Sequence, residues 1–440
     1  MKFSHRFRFF TGLLTLSLMG SLCFNPVSAE AAKKASKRTA AQIAAEKAAA
    51  EQIEAERQAA YNKDIDSNAI NGWPQGPQIY AESAIVMEAS SGAILYNKDM
   101  DMKNYPASIT KIMTALLTLE NCSLDETVTY SYNATHTIDA GSSSIYTTED
   151  EQLTVEQSLY ALMLESANEC ANGLAEHVAG SIDAFAEMMN QKAQELGCTN
   201  TVFTNPTGLP DDNQHTTAHD MALIMQAAIQ NESFRTIAAA TSYTIPATNM
   251  AAARNLTSKF TMTDTGSTGF YEGCIGGKEG YTEASGSTLV CAAQRDGMTL
   301  ISVVLKGVSG QTAPDAASIL NYGFDQFTTL SLGDSDFSII SGGDVVVPAG
   351  TTADSLATED TQNGDEIDRT YLFNGTAVGS AVLEVAQSED TASVQTGEQN
   401  MQAAKDYSEN HTEVPYFVIA GVFLLLLILL IWRIVKVIKA

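Results

Sequence analysis

Apolar positions follow three rhythms along this chain. Ile112, Met113, Ala115, Leu116, Leu117 and Leu119 recur at helical spacing, and the same rhythm over residues 153–164 and 169–178 predicts two more helices. Residues 287–294 and 298–304 are instead apolar runs separated by Asp296-Gly297, the dipeptide favoured in a two-residue β-hairpin. Such segments are sustained from residue 83 to 327 with Gly and Pro between them, which predicts one large α/β domain over 78–328. From 329 to 386 the segments are short, apolar or alternating, and separated by Gly-rich turns. They predict a small all-β domain.

The third rhythm is the uninterrupted apolar run, and it occurs at the two ends. Lys2, Arg6 and Arg8 precede the run 9–24, and Val27-Ser28-Ala29 supplies small residues for cleavage after Ala29, so 1–29 reads as a secretory signal peptide. Leu22 is too large for the position before a lipoprotein cysteine at Cys23. Residues 414–432 carry no charge and are long enough to span about 30 Å of hydrocarbon as a transmembrane helix. Arg433, Lys436 and Lys439 follow, which places the 433–440 tail in the cytoplasm. The expectation is a single-pass protein of the cell membrane whose body lies outside the cytoplasm. Residues 30–77 begin as an Ala-, Lys- and Glu-rich stretch with few large apolar residues, read as a helical spacer, and 387–413 is a polar stalk.

Charge narrows the class of partner. The formal net charge is −27 over 440 residues, which argues against nucleic acid, because a polyphosphate needs a basic footprint. The excess is uneven: residues 330–413 hold 16 Asp and Glu against Arg369 and Lys405, the signature of a solvated acidic spacer. Beyond Cys23 the cysteines are Cys122, Cys170, Cys198, Cys274 and Cys291. Their odd number and the lack of a C-x-x-C indicate neither a disulfide framework nor a zinc ribbon, and most read as small buried hydrophobes.

Three short segments in the large domain carry chemistry. Ser108 and Lys111 lie one helical turn apart at the start of the 112–119 helix, so amine and hydroxyl share a face. A lysine acts as a base only when neutral, and burial at a helix N-terminus lowers its pKa in that direction. Ser166-Ala167-Asn168 falls at the corner between two predicted helices, exposing a hydroxyl and an amide that can relay a proton and hold a carbonyl. Gly276-Gly277-Lys278-Glu279-Gly280-Tyr281-Thr282 precedes the hairpin, and a strand edge with a lysine among glycines suits an extended peptide ending in a carboxylate.

In this order the three segments resemble the Ser-x-x-Lys, Ser-x-Asn and Lys-Thr-Gly set of penicillin-binding proteins and serine β-lactamases. The chain is most similar to the low-molecular-weight D-alanyl-D-alanine carboxypeptidases, serine peptidases of the S11 type. Residues 83–96, 205–210, 215–224 and 320–327 add to the likeness. The resemblance implies a β-lactamase/transpeptidase-like domain, an antiparallel sheet with helices, followed by the small all-β domain and the C-terminal transmembrane helix. It implies that Ser108 attacks the penultimate D-Ala carbonyl of a peptidoglycan stem peptide ending in D-Ala-D-Ala, with Lys111 as base and an acyl-enzyme that water hydrolyses. Ser166 and Asn168 relay the proton and align the peptide, and Lys278 attracts the terminal carboxylate and polarises Ser166. Gly280, Tyr281 and Thr282 line the same edge, and the backbone N–H groups of Ser108 and Tyr281 hold the oxyanion, each such donor worth about 3–4 kcal/mol. β-Lactams are then covalent inhibitors, and no metal or cofactor is implied.

Glu279 departs from the pattern, because relatives carry Thr there and a carboxylate repels the substrate's own unless it turns away or pairs with a cation. Thr207, where relatives often have His, is a milder departure. His177, His215 and His219 are read as structural. The alternatives are a β-lactamase or endopeptidase on the same fold, or a cell-wall-binding protein whose site is weakened by Glu279.

Overall fold

Alternate residues of the central strands turn toward two different layers, and both layers are packed. In the computed structural model, which describes residues 40–139, 141–333 and 337–385, these strands form a five-stranded antiparallel sheet. Its order is Ile94–Lys98, Ser83–Glu88, Met298–Gly307, Gly286–Arg295, Cys274–Thr282. Ile85, Met87, Val290, Ala292, Ile301 and Val303 join the large core beneath the helical layer. Val86 and Leu300, on the opposite face, meet the Thr312–Gln326 helix at Gly323, where a Cβ would come within 2.6 Å of Leu300 Cδ1. Strands covered on both faces read as continuous apolar runs, which is why residues 287–294 show no polar alternation. At the hairpin between the last two strands in sequence, Asp296 (φ 51°) and Gly297 (φ 87°) both adopt left-handed backbone, as a type I′ turn requires.

The helical layer holds Lys111–Asn121, Asn168–Ala179, Ile182–Glu195 and Ala218–Ala228. Side chains of Ser181 and Thr217 accept from the third residue of the latter two helices, fixing where each begins. Cys170, Cys198 and Cys291 are buried and none of the described cysteines is paired; burial pushes the Cys198 thiol up to about 12.

The spacer helix runs Ala40–Tyr61 with most of its surface exposed, but helix does not continue to residue 77. Ile65 and Trp73 turn inward instead, and Trp73 Nε1 donates to Leu95 O at 2.9 Å. A large aromatic gains more by burial than by continuing a solvated helix. Trp73 also packs against Phe327 and Phe373, at centroid distances of 5.0 and 5.9 Å. Residues 327–385 form a two-stranded pair, Phe327–Ser331 with Asp344–Pro348, and a four-stranded sheet containing the Ala357–Asn363 and Glu366–Phe373 hairpin.

By internal contacts the chain divides into residues 1–334 with 339–383, and 335–338 with 384–440. The candidate site lies wholly in the first. The signal segment 1–29, the stalk 387–413, the apolar run 414–432 and the tail 433–440 lie outside the described residues. Among the described residues no helix is long and apolar enough to cross a membrane.

Candidate active site

The site begins with a strained turn. Ala107 has φ 53° and opens the short 3₁₀ segment Ala107–Thr110, which runs straight into the Lys111–Asn121 helix. A non-glycine residue held left-handed costs on the order of 1–3 kcal/mol and persists only where its surroundings impose it. Here Gly208 presses on the turn so closely that a Cβ on it would sit 1.8 Å from Ala107 O, and Thr288 Oγ1 donates to Pro106 O at 3.0 Å. Ser108 is thereby presented half-buried at the head of the helix.

Lys111 is fully buried directly behind it. Its Nζ lies 2.7 Å from Asn168 Oδ1, 2.6 Å from Thr207 O and 3.2 Å from Ser108 Oγ. A neutral amine has two N–H groups and one lone pair. The two short contacts are to acceptors that only receive, so both N–H groups are taken and the lone pair is left for the Ser108 hydroxyl. Burial above all, and then the charge of Lys278, hold the Lys111 amine well below the ordinary lysine range. Geometry and electrostatics therefore select the same protonation state, the one a general base needs.

Ser166 occupies the corner predicted for it. Thr154 and Gln157 form a capping box that starts the helix Val155–Tyr160, which then widens into a π turn, Ala161–Glu165, and stops at Ser166 with φ 60°. Ser166 Oγ is buried without a hydrogen-bond partner among the described residues. Such orphaned polar atoms are rare in folded proteins and concentrate where a ligand is to be met. Two residues on, Asn168 opens the helix Asn168–Ala179 and spends its carbonyl oxygen on Lys111.

The third segment lies on the strand Cys274–Thr282, which among the described residues is paired on one side only. Gly280 passes so near the Ser108 turn that a Cβ would lie 2.8 Å from Ser108 N. Tyr281 is 66% exposed at this edge. Thr282 serves the turn, exchanging hydrogen bonds with Ser285 (Thr282 Oγ1 to Ser285 Oγ at 2.8 Å, Ser285 N to Thr282 Oγ1 at 3.0 Å). Thr282, expected to line the substrate edge, thus spends its hydroxyl within its own turn.

Lys278 differs from expectation in its partner. Its fully buried Nζ contacts Glu279 Oε1 at 2.7 Å and Glu279 O at 3.1 Å, and no bond to Ser166 is formed. An ionised oxygen on the adjacent residue outcompetes a neutral hydroxyl for an ammonium group. Glu279 Oε2 is left buried and unpartnered.

Sequence reasoning missed the backbone carbonyl of Thr207 as the third neighbour of Lys111, since any residue carries a carbonyl. The Thr207 hydroxyl itself bonds to Asn205 Oδ1 at 2.8 Å, inside its own loop. Glu169 was missed as well. It is buried, and its Oε1 accepts from Ser144 Oγ and Ile145 N, both at 2.7 Å, pinning the 144–147 loop beside Asn168. The three histidines each have a partner outside the three segments: His177 faces Glu126 at 3.1 Å, His215 Asn213 O at 2.8 Å and His219 Asp101 at 3.2 Å.

Residues 71–309 match the family described as D-alanyl-D-alanine carboxypeptidase. D-alanyl-D-alanine carboxypeptidase DacF of Bacillus subtilis is 33% identical over 257 residues, which are 57% of this chain and 63% of that one. DacB2 of Mycobacterium tuberculosis, of the same name, is 34% identical over 57% of this chain and 84% of its own. The chain thus spans somewhat under two thirds of the length of the Bacillus relative. The solved structure of the Streptomyces K15 DD-transpeptidase superposes with a TM-score of 0.54 at 31% identity, covering 57% of this chain and all of that one.

Proposed function

This chain belongs to the D-alanyl-D-alanine carboxypeptidase family, and from that premise we propose that it is a serine hydrolase that removes the terminal D-Ala from peptidoglycan stem peptides and is acylated by β-lactams. The observation that carries the reading is the buried Lys111 amine, held by Asn168 and Thr207 with its remaining electron pair toward Ser108 Oγ at 3.2 Å.

In the proposed reaction the Ser108 hydroxyl gives its proton to Lys111 as its oxygen bonds to the penultimate D-Ala carbonyl carbon. The oxyanion is met by the backbone N–H groups of Ser108 and Tyr281, in keeping with the approach of Gly280 to Ser108 N. Ser166, whose Oγ has no hydrogen-bond partner among the described residues, passes the proton from Lys111 to the departing D-Ala nitrogen as the amide C–N bond breaks. Water then attacks the ester carbonyl carbon as Lys111 takes its proton, the bond from that carbon to Ser108 Oγ breaks as Lys111 returns the proton to the serine oxygen, and the shortened peptide leaves as a carboxylate, its acid proton passing to solvent. Asn168 aligns the peptide, which lies along the open edge of Cys274–Thr282, and Lys278 attracts its terminal carboxylate.

We extend the proposal to location: a signal at 1–29 exports the enzyme, and an anchor at 414–432 holds it on the outer face of the cell membrane, where peptidoglycan lies. Two measurements test the activity together. Ser108-dependent covalent labelling by fluorescent penicillin and release of free D-Ala from a pentapeptide ending in D-Ala-D-Ala are expected. A folded protein giving neither result overturns the reading, and rapid penicillin turnover without D-Ala release makes it a β-lactamase.

A further inference from the structure

The two helices that begin at the site also end together, and their ends hold a second cluster. Cys122 follows the last residue of Lys111–Asn121, and His177 lies in the final turn of Asn168–Ala179. Between them Glu126 projects from the turn after Cys122, its Oε1 accepting from Ser123 N at 2.6 Å and its Oε2 facing His177 Nε2 at 3.1 Å. One ligating atom from each of Cys122, Glu126 and His177 lies within 4.8 Å of the other two. At 1.5 Å per residue the cluster stands about 16 Å from Lys111 along the helix, apart from the catalytic groups.

The donor set is specific in kind. Thiolate, imidazole and carboxylate together suit a borderline divalent transition ion in tetrahedral geometry, whereas calcium and magnesium take oxygen ligands.

We propose that Cys122 Sγ, a Glu126 carboxylate oxygen and a His177 ring nitrogen bind one zinc ion, water taking the fourth position, and that the ion joins the two helices whose opposite ends carry Lys111 and Asn168. On binding, the Cys122 thiol releases its proton to solvent and the thiolate bonds to the metal. The ion stabilises the folded state by mass action, since the unfolded chain does not bring residues 122, 126 and 177 together.

The test uses the reduced full-length chain, titrated with zinc chloride by calorimetry and separately with cobalt(II) chloride by absorption. One ion per chain is expected, with a thiolate-to-cobalt charge-transfer band and a melting temperature that rises with zinc. C122S is expected to lose the band, and both C122S and H177Q to weaken zinc affinity by roughly 100-fold or more, while C274S changes neither. Penicillin labelling of each variant verifies its fold. Absence of one-to-one binding, or affinity and band that survive C122S and H177Q, overturns the proposal and leaves an ordinary exposed ion pair.

Discussion

Lys278 Nζ sits 2.7 Å from Glu279 Oε1, so the cation that should meet a substrate carboxylate already has one. The pair is internal to one strand and Lys278 is fully buried, so an incoming anion must displace Glu279 or share the ammonium with it. A charge-assisted hydrogen bond of this kind is worth about 1.5–3 kcal/mol.

Replacing Glu279 by Thr frees Lys278 from a competing carboxylate. Glu279→Thr is expected to raise kcat/KM for a D-Ala-D-Ala peptide about tenfold, equivalent to about 1.4 kcal/mol, mainly through KM. Steady-state D-Ala release at several peptide concentrations reads it. A lower kcat/KM in this variant contradicts the view of Glu279 as a competitor.

With Lys111 as the proposed base, its protonation is expected to set the pH dependence. Its folded pKa is below the unfolded value, so the protonated, inactive form dominates only at pH below that depressed value, and acylation rises as pH passes up through it. The same shift makes stability rise with pH from the depressed value to the ordinary lysine value, because over that interval the unfolded chain binds the proton and the folded one does not. Since the Lys278 charge is the second cause of the depression, Lys278→Met is expected to move the acid limb of penicillin acylation to higher pH. Stopped-flow acylation across pH measures it, and an unmoved limb refutes the coupling.

Gly208 has φ 82° and no room for a side chain against Ala107. Gly208→Ala is expected to push the Thr207 carbonyl off Lys111, destabilising the fold by about 2 kcal/mol or more and cutting penicillin labelling by at least about tenfold. Thermal melting and labelling rates report the two effects.

Glu151 is fully buried and pairs with Arg254, while Thr248 Oγ1 donates to it at 2.8 Å. Arg254→Met strands that carboxylate, at an expected loss of about 3–5 kcal/mol and a fall in melting temperature of about 10 °C. Adding Glu151→Leu is expected to recover part of the loss, because the uncompensated charge is then gone. Calorimetry on the single and double variants checks both.

What was readable in the sequence was local. Ser108 and Lys111 share a turn, Ser166 and Asn168 flank a helix start, and Asp296-Gly297 has a backbone preference that needs no partner. The helical spacer was readable where small and charged residues repeat, but not after Tyr61, because Trp73 is committed by Leu95, Phe327 and Phe373, which are distant in sequence. The Ala161–Glu165 π turn and the left-handed Ala107 were likewise invisible, since both are imposed by packing rather than by residue preference.

By itself the sequence determined which side chains were available for catalysis and the periodicities that build sheet and helices, because short-range sterics and burial act on neighbours. Tertiary structure decided the rest: that Thr207 offers its carbonyl and not its hydroxyl, that Lys278 turns to Glu279 and not Ser166, and that Thr282 closes a turn. These are choices among competing partners, and only the final distances, dry and fixed, rank them.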